Sequence, residues 1–134
     1  MSNTLKAKVT NIKSVELVNI VSFEFKGVEL KMMSLNLDKA IKVGSTVLLS
    51  IKPSHIAIAK DFNGVVSYSN QLKCKIHSLE VGELLASIEL DFHETLLESI
   101  ITADSVHKMN LHENEEITAL IKASEVSIME VIDD

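Results

Sequence analysis

A phrase written twice limits this chain's fold more than any other feature. "LSIKPSHIAIA" begins at Leu49 and "ALIKASEVSIM" at Ala119; each has Ile-Lys, a small residue, Ser, a polar residue and then apolar alternation. Laying "NTLKAKVTNIK" from Asn3 over "NQLKCKIHSLE" from Asn70 aligns Asn, Leu, Lys and Lys at an offset of 67, with Val9 on Ile76 and Ile12 on Leu79. Lys52 falls on Lys122 and Ser54 on Ser124 at an offset of 70. The second copy has therefore gained residues in its middle, after Leu30/Leu97 and before Gly44/Asn114. The expected modules are 1–62 and 66–134, joined through "KDFNGVVSYS", whose Asn63-Gly64 is a turn signal. A copy this short buries little surface alone, so the two are expected to pack together or against other chains.

Within each copy the hydrophobic period is two. Leu5, Ala7 and Val9 alternate with Lys6, Lys8 and Thr10; Val21, Phe23 and Phe25 alternate with Ser22, Glu24 and Lys26. "STVLLSIKPSHIAIA" continues the pattern, and "LKCKIHSL", "LLASIELDF", "LLESIIT" and "EITALIKASEVSIM" repeat it. Short strands with turns every 8–12 residues read as small barrels or sandwiches. The fold expected is all-β, with two tandem OB-like five-stranded β-barrels, each with at most one short helix. One helix is expected in "TADSVHKMNL", with Thr102 or Asp104 as its cap. The core must be aliphatic, because the chain has four Phe, one Tyr and no Trp.

The formal charge of −6 argues against a general nucleic-acid binder, and so does the shortage of aromatic stacking platforms. It does not exclude a small anion, which needs only a local convergence of N–H donors. The single cysteine, Cys74, leaves no intrachain disulfide; it aligns with Ala7 on an apolar strand face and reads as a small buried hydrophobe. His77, His93, His107 and His112 fit no metal-clip spacing. No apolar run is long enough to span a bilayer, and "MSNTLKAKVT" has no signal-peptide core, so a cytoplasmic location is expected. No nucleophile–base set, phosphate-binding Gly loop or carboxylate pair is visible, and the expectation is a non-enzyme.

"NQLKCKIHSLEVGELLASIEL" followed by "IITADSVHKMNLHENEEITALIKASEVSIM" resembles a Mop domain, the molybdate-binding module of molbindins, within the wider TOBE class. The resemblance covers nearly all of the second copy. The first copy matches the general TOBE pattern, chiefly in "KVGSTVLLSIKPSHIAIA". It implies a binding protein for molybdate or tungstate, with no covalent cofactor and no chemistry done on the ligand. Its role would be storage, homeostasis or sensing, and a homo-oligomer, a trimer by analogy, would hold the oxyanions near subunit contacts.

The resemblance also implies three donor segments. The first is Ser67, Ser69 and Asn70, where Ser69 stands in place of the family's Arg and removes a cation. The second is Thr102 with Ser105, at a helix start. The third is Lys122, Ala123 and Ser124. In the first copy only Ser2, Asn3, Lys52 and Ser54 remain, and Pro53 replaces Ala123 and has no N–H to donate. The expectation is that the first copy has lost part of the site; it serves assembly, or completes a site begun by another subunit's second copy. Taken alone, Thr102 and Ser105 also read as an ordinary helix cap, and Lys122 and Ser124 as solvent-facing strand residues. A rival reading is a TOBE-type interaction module associated with a transporter ATPase.

Overall fold

The computed structural model describes residues 3–132, so Ser2, one of the expected oxyanion contacts, lies outside the described residues. The first copy folds as β1 (Asn3–Val15), β2 (Val18–Phe25), β3 (Val28–Ser34), β4 (Thr46–Ile51) and β5 (Ala57–Ala59). The second folds as β6 (Asn70–Val81), β7 (Leu85–Phe92), β8 (Thr95–Thr102), helix α1 (Ala103–Met109), β9 (Glu116–Ile121) and β10 (Ser127–Ile132). Burial along β1 and β6 alternates strictly at first, with Leu5, Ala7 and Val9 answered by Leu72, Cys74 and Ile76. The β-bulges also repeat, between Val9 and Asn11 and between Ile76 and Ser78. Beside each bulge a residue with positive φ closes on the same carbonyl: Gly44 N–H donates to Val9 O, and Asn114 N–H to Ile76 O, both at 2.8 Å. The two copies are thus one backbone design, as their alignment implies.

The sheets do not follow the copies. One five-stranded sheet runs β10-β4-β1-β2-β3 and the other β5-β9-β6-β7-β8, so each copy hands its last strand to the other. The pairings are equivalent: Ala57 opposes Leu120 on one side, and Ser127 opposes Ser50 on the other. Before each exchanged strand lies a 3-10 turn, Pro53–His55 or Ala123–Glu125, and the residue after it, Ile56 or Val126, is buried. The Ser99 hydroxyl of β8 donates to Ile56 O at 2.6 Å, fastening the first crossing.

Asn3 and Asn70 clamp the sheets together. Asn70 Nδ2 donates to Lys31 O at 3.0 Å while its Oδ1 accepts from Lys31 N at 2.7 Å. Asn3 does the same to Glu98, at 2.9 and 2.7 Å, and its amide also donates to Ile51 O. Each carboxamide stands in for a strand's backbone and satisfies part of a sheet edge from the opposite sheet. Phe25 and Phe92, again equivalent, stack across the pseudo-two-fold with centroids 5.9 Å apart. The buried side chains of both sheets form one continuous cluster.

One helix is present among the described residues, where the sequence suggests it. Thr102 is its cap: its hydroxyl accepts the Ser105 N–H at 3.1 Å. It ends at Asn110 in the left-handed region (φ 52°). The first copy, shorter here, crosses the same region without a helix.

This topology predicts that residues 66–134 alone form a dimer, because β10 of a second copy is the natural occupant of the β9 edge that β5 vacates. Light scattering of the isolated second copy tests this. A cooperatively unfolding monomer would contradict the exchange.

Candidate functional site

The strand exchange carries the two repeated phrases to one place. His55 and Glu125 hold the same position in the repeat, and they meet: His55 Nδ1 lies 2.7 Å from Glu125 Oε2. A small cleft opens on either side of this pair. One, of 260 Å³, is lined by Ser54, His55, Tyr68, Lys122 and Glu125, with Ile56, Ala57 and Ile101. The other, of 210 Å³, is lined by Ser50, Lys52, His55, Ser124, Glu125 and Ser127, with Val126. Each cleft therefore draws its lysine from one repeat and its phrase serine, Ser54 or Ser124, from the other. Both lysines and both of these serines are exposed to solvent. The extended residues Lys52 and Lys122 stand just ahead of the 3-10 turns, which set each serine back from its own lysine.

The other expected residues are placed differently. Ala123 sits half-buried in its turn. Ser67 and Ser69 are exposed on the linker and line neither cleft, although Tyr68 between them lines one. Asn3 and Asn70 are buried, and their amides are committed to the backbone bonds described above, so they stand apart from both clefts. Thr102 and Ser105 bond to each other, Oγ1 to Oγ at 2.9 Å, and line neither cleft. Within one chain the structure brings together Lys52, Ser54, Lys122 and Ser124, and leaves Thr102 and Ser105 on a separate surface. Sequence reasoning passed over His55, Glu125, Tyr68, Ser50 and Ser127. The signal for the first two was available in the alignment, where His55 falls on Glu125.

Of the larger hollows, one of 610 Å³ is lined mainly by apolar side chains, among them Met32, Leu35, Leu37 and Met129, and also touches Ser124 and Ser127; carboxylates dominate two others. One of 510 Å³ sets Lys73 and Lys75 against Asp61, Asp91 and Glu116, and another of 420 Å³ is lined by Glu80, Glu89 and Glu98. Cys74 borders the 510 Å³ hollow; burial pushes its thiol up to about 12, with the Asp91 carboxylate adding and the Ala119 backbone bond opposing, which disfavours the thiolate. Among the described residues no three His, Cys, Asp or Glu side chains converge as metal ligands.

The chain between the two copies is anchored by Lys60. Its ammonium meets Glu115 at 2.7 Å and donates to the last carbonyls of the helix region, Met109 O at 2.8 Å and Asn110 O at 3.1 Å. Burial alone would raise the Glu115 carboxyl. The Lys60 bond, the His112 backbone N–H and the charges of His112 and Lys60 together hold it below its ordinary 4.5.

The TOBE domain matches residues 67–128. Molybdenum-pterin-binding proteins 1 and 2 of Clostridium pasteurianum are 37% and 35% identical to this chain over 65 residues, which is 48% of this chain and 96% of each relative. Among solved structures, the cytoplasmic molybdate-binding protein ModG, with molybdate bound, superposes with a TM-score of 0.89 at 23% identity over 94% of each chain. Two OB-type sheets that share strands, with a pair of clefts lined by lysine and hydroxyl groups at the crossing, define a tandem OB-type architecture. The chain belongs to the Mop/TOBE family.

Because a depressed carboxyl stabilises the fold above its unfolded value and loses this as pH falls through the folded one, Glu115→Gln should cost stability at pH 7, by about 1–3 kcal/mol. The gap to the parent should close as pH falls below 4.5. Denaturant titrations at both ends test this; an equal gap at about pH 3 and at pH 7 would contradict the assignment.

Proposed function

We propose that this protein reversibly binds molybdate or tungstate in the cytoplasm and buffers the supply of that oxyanion or senses it, with no catalysis. One observation carries the reading: both repeated phrases converge on a shared pair of clefts, each with one lysine and at least one hydroxyl. A tetrahedral dianion has only acceptor oxygens, so ammonium and hydroxyl donors converging from two chain segments suit it. At 210 and 260 Å³ the clefts fall below the roughly 300–1,000 Å³ typical of organic-ligand pockets, which favours an inorganic guest. The names of the relatives point the same way, toward molybdenum. Selection against sulfate rests on size, since charge and shape are alike.

Assembly extends the reading. Leu17 and Leu84 occupy the same place at the tips of their hairpins and are 76% and 81% exposed. The second tip adjoins the helix start: Leu85 pairs with Thr102, and Ala103 N–H donates to Leu84 O at 2.9 Å. Apolar tips of this kind are suited to burial against further copies of the chain, in a homo-oligomer, with a trimer as the reading inherited from the family. Thr102 and Ser105, with Ser67 and Ser69, would then contribute donors to a neighbouring copy's site.

Calorimetric titration with molybdate, tungstate and sulfate, alongside light scattering, tests both parts. Molybdate and tungstate should bind and sulfate should not. Lys52→Gln and Lys122→Gln should each weaken binding by about tenfold to a hundredfold, the worth of a charge-assisted hydrogen bond. Leu84→Glu should lower the assembled mass. A folded protein that gives no heat with any of the three anions would sink the oxyanion reading and favour the interaction-module one.

A further inference from the structure

The wall shared by the two clefts is one ion pair, and its charge depends on a proton. His55 and Glu125 line both clefts, with their side chains 37% and 35% exposed. The remaining charged or titratable groups lining the clefts are Lys52 in one, Lys122 in the other, and the Tyr68 hydroxyl contributed by the linker. Each cleft thus offers an entering dianion one ammonium and one shared carboxylate. The carboxylate has lone pairs only and no proton to give, so it opposes an oxyanion that also carries only acceptors. With His55 neutral, the cation and the carboxylate in a cleft cancel. With His55 protonated, the pair is neutral as a unit and the lysine acts unopposed.

The geometry says where the proton goes. At 2.7 Å, His55 Nδ1 already donates to Glu125 Oε2 in the neutral imidazole, so the additional proton, taken from solvent, enters at Nε2. No bond other than this N–H forms or breaks.

We propose that the His55–Glu125 pair is a proton-operated control on oxyanion capture: binding takes up a proton at His55, and affinity rises as pH falls. This inference rests on the oxyanion reading of the clefts. It makes His55 and Glu125 tuning residues rather than principal donors. It also gives a reason for the mismatch at this one position of the repeat, where His meets Glu. Two glutamates would have repelled each other and the ligand, and two histidines would have held no carboxylate to control.

The test is calorimetry of the full chain with tungstate between about pH 6 and pH 8.5, at fixed ionic strength, in paired buffers of different ionisation heat. The affinity should fall about tenfold or more across that range, and the buffer difference should report proton uptake on binding. His55→Gln should remove the slope and leave binding weak throughout, because Glu125 is then never neutralised. Glu125→Gln should keep binding strong at the alkaline end. Both side chains are partly exposed, so the variants should fold, and circular dichroism checks that. Tight binding with the same affinity at every pH and no proton uptake would overturn this inference alone, as would a slope that survives in His55→Gln. An absence of binding at every pH would overturn the oxyanion reading together with it.

Discussion

Each half of this protein is completed by a strand from the other. Ala57–Ala59 lies against β9 and Ser127–Ile132 against β4, and the crossings that deliver them hold the rest of the molecule in place. Because the chain must cross twice at one locus, the turns Pro53–His55 and Ala123–Glu125 are forced into contact. The Asn3 and Asn70 clamps, the Phe25–Phe92 stack and the single continuous core follow from the same pseudo-two-fold. A tandem of separate barrels would have two cores and no shared clefts. The exchange gives one core and places every candidate ligand contact of the phrase on the axis between the copies.

This changes what each repeat contributes. The thinner inventory of the first copy is set beside residues of the second, because Lys52 shares a cleft with Ser124 and Lys122 with Ser54. Pro53 costs an N–H donor but is buried at the start of its turn, where a fixed φ suits the chain. Divergence between copies is then free to do something that identical copies cannot. One position carries His in the first copy and Glu in the second, and the two pair.

The strands and the helix were legible in the sequence because they depend on local signals. Period-two burial and a Thr cap ahead of Ala103 can both be read from neighbours in the chain. The exchange was not legible. A strand such as Ala57–Ala59 carries the same pattern whether it pairs with its own copy or the other, since the two acceptor edges are themselves repeats. The partners of Asn3 and Asn70 were hidden for a related reason. A polar residue at the start of a strand looks the same whether it faces an anion or a distant backbone, and only tertiary packing reveals the partners Glu98 and Lys31. The lysines and serines of the phrase stood out in the sequence because repetition itself marked them. Their mutual arrangement required the axis.

The central claim is that an oxyanion lies at the crossing, between a lysine of one repeat and a serine of the other. Crystals of the protein soaked in tungstate, mapped by the anomalous scattering of tungsten, test it most directly. The account predicts tungsten beside the His55–Glu125 pair, within hydrogen-bond reach of Lys122 and Ser54 or of Lys52 and Ser124. Tungsten found only at a position remote from both phrases, such as the carboxylate-rich hollow by Lys73 and Lys75, would contradict it.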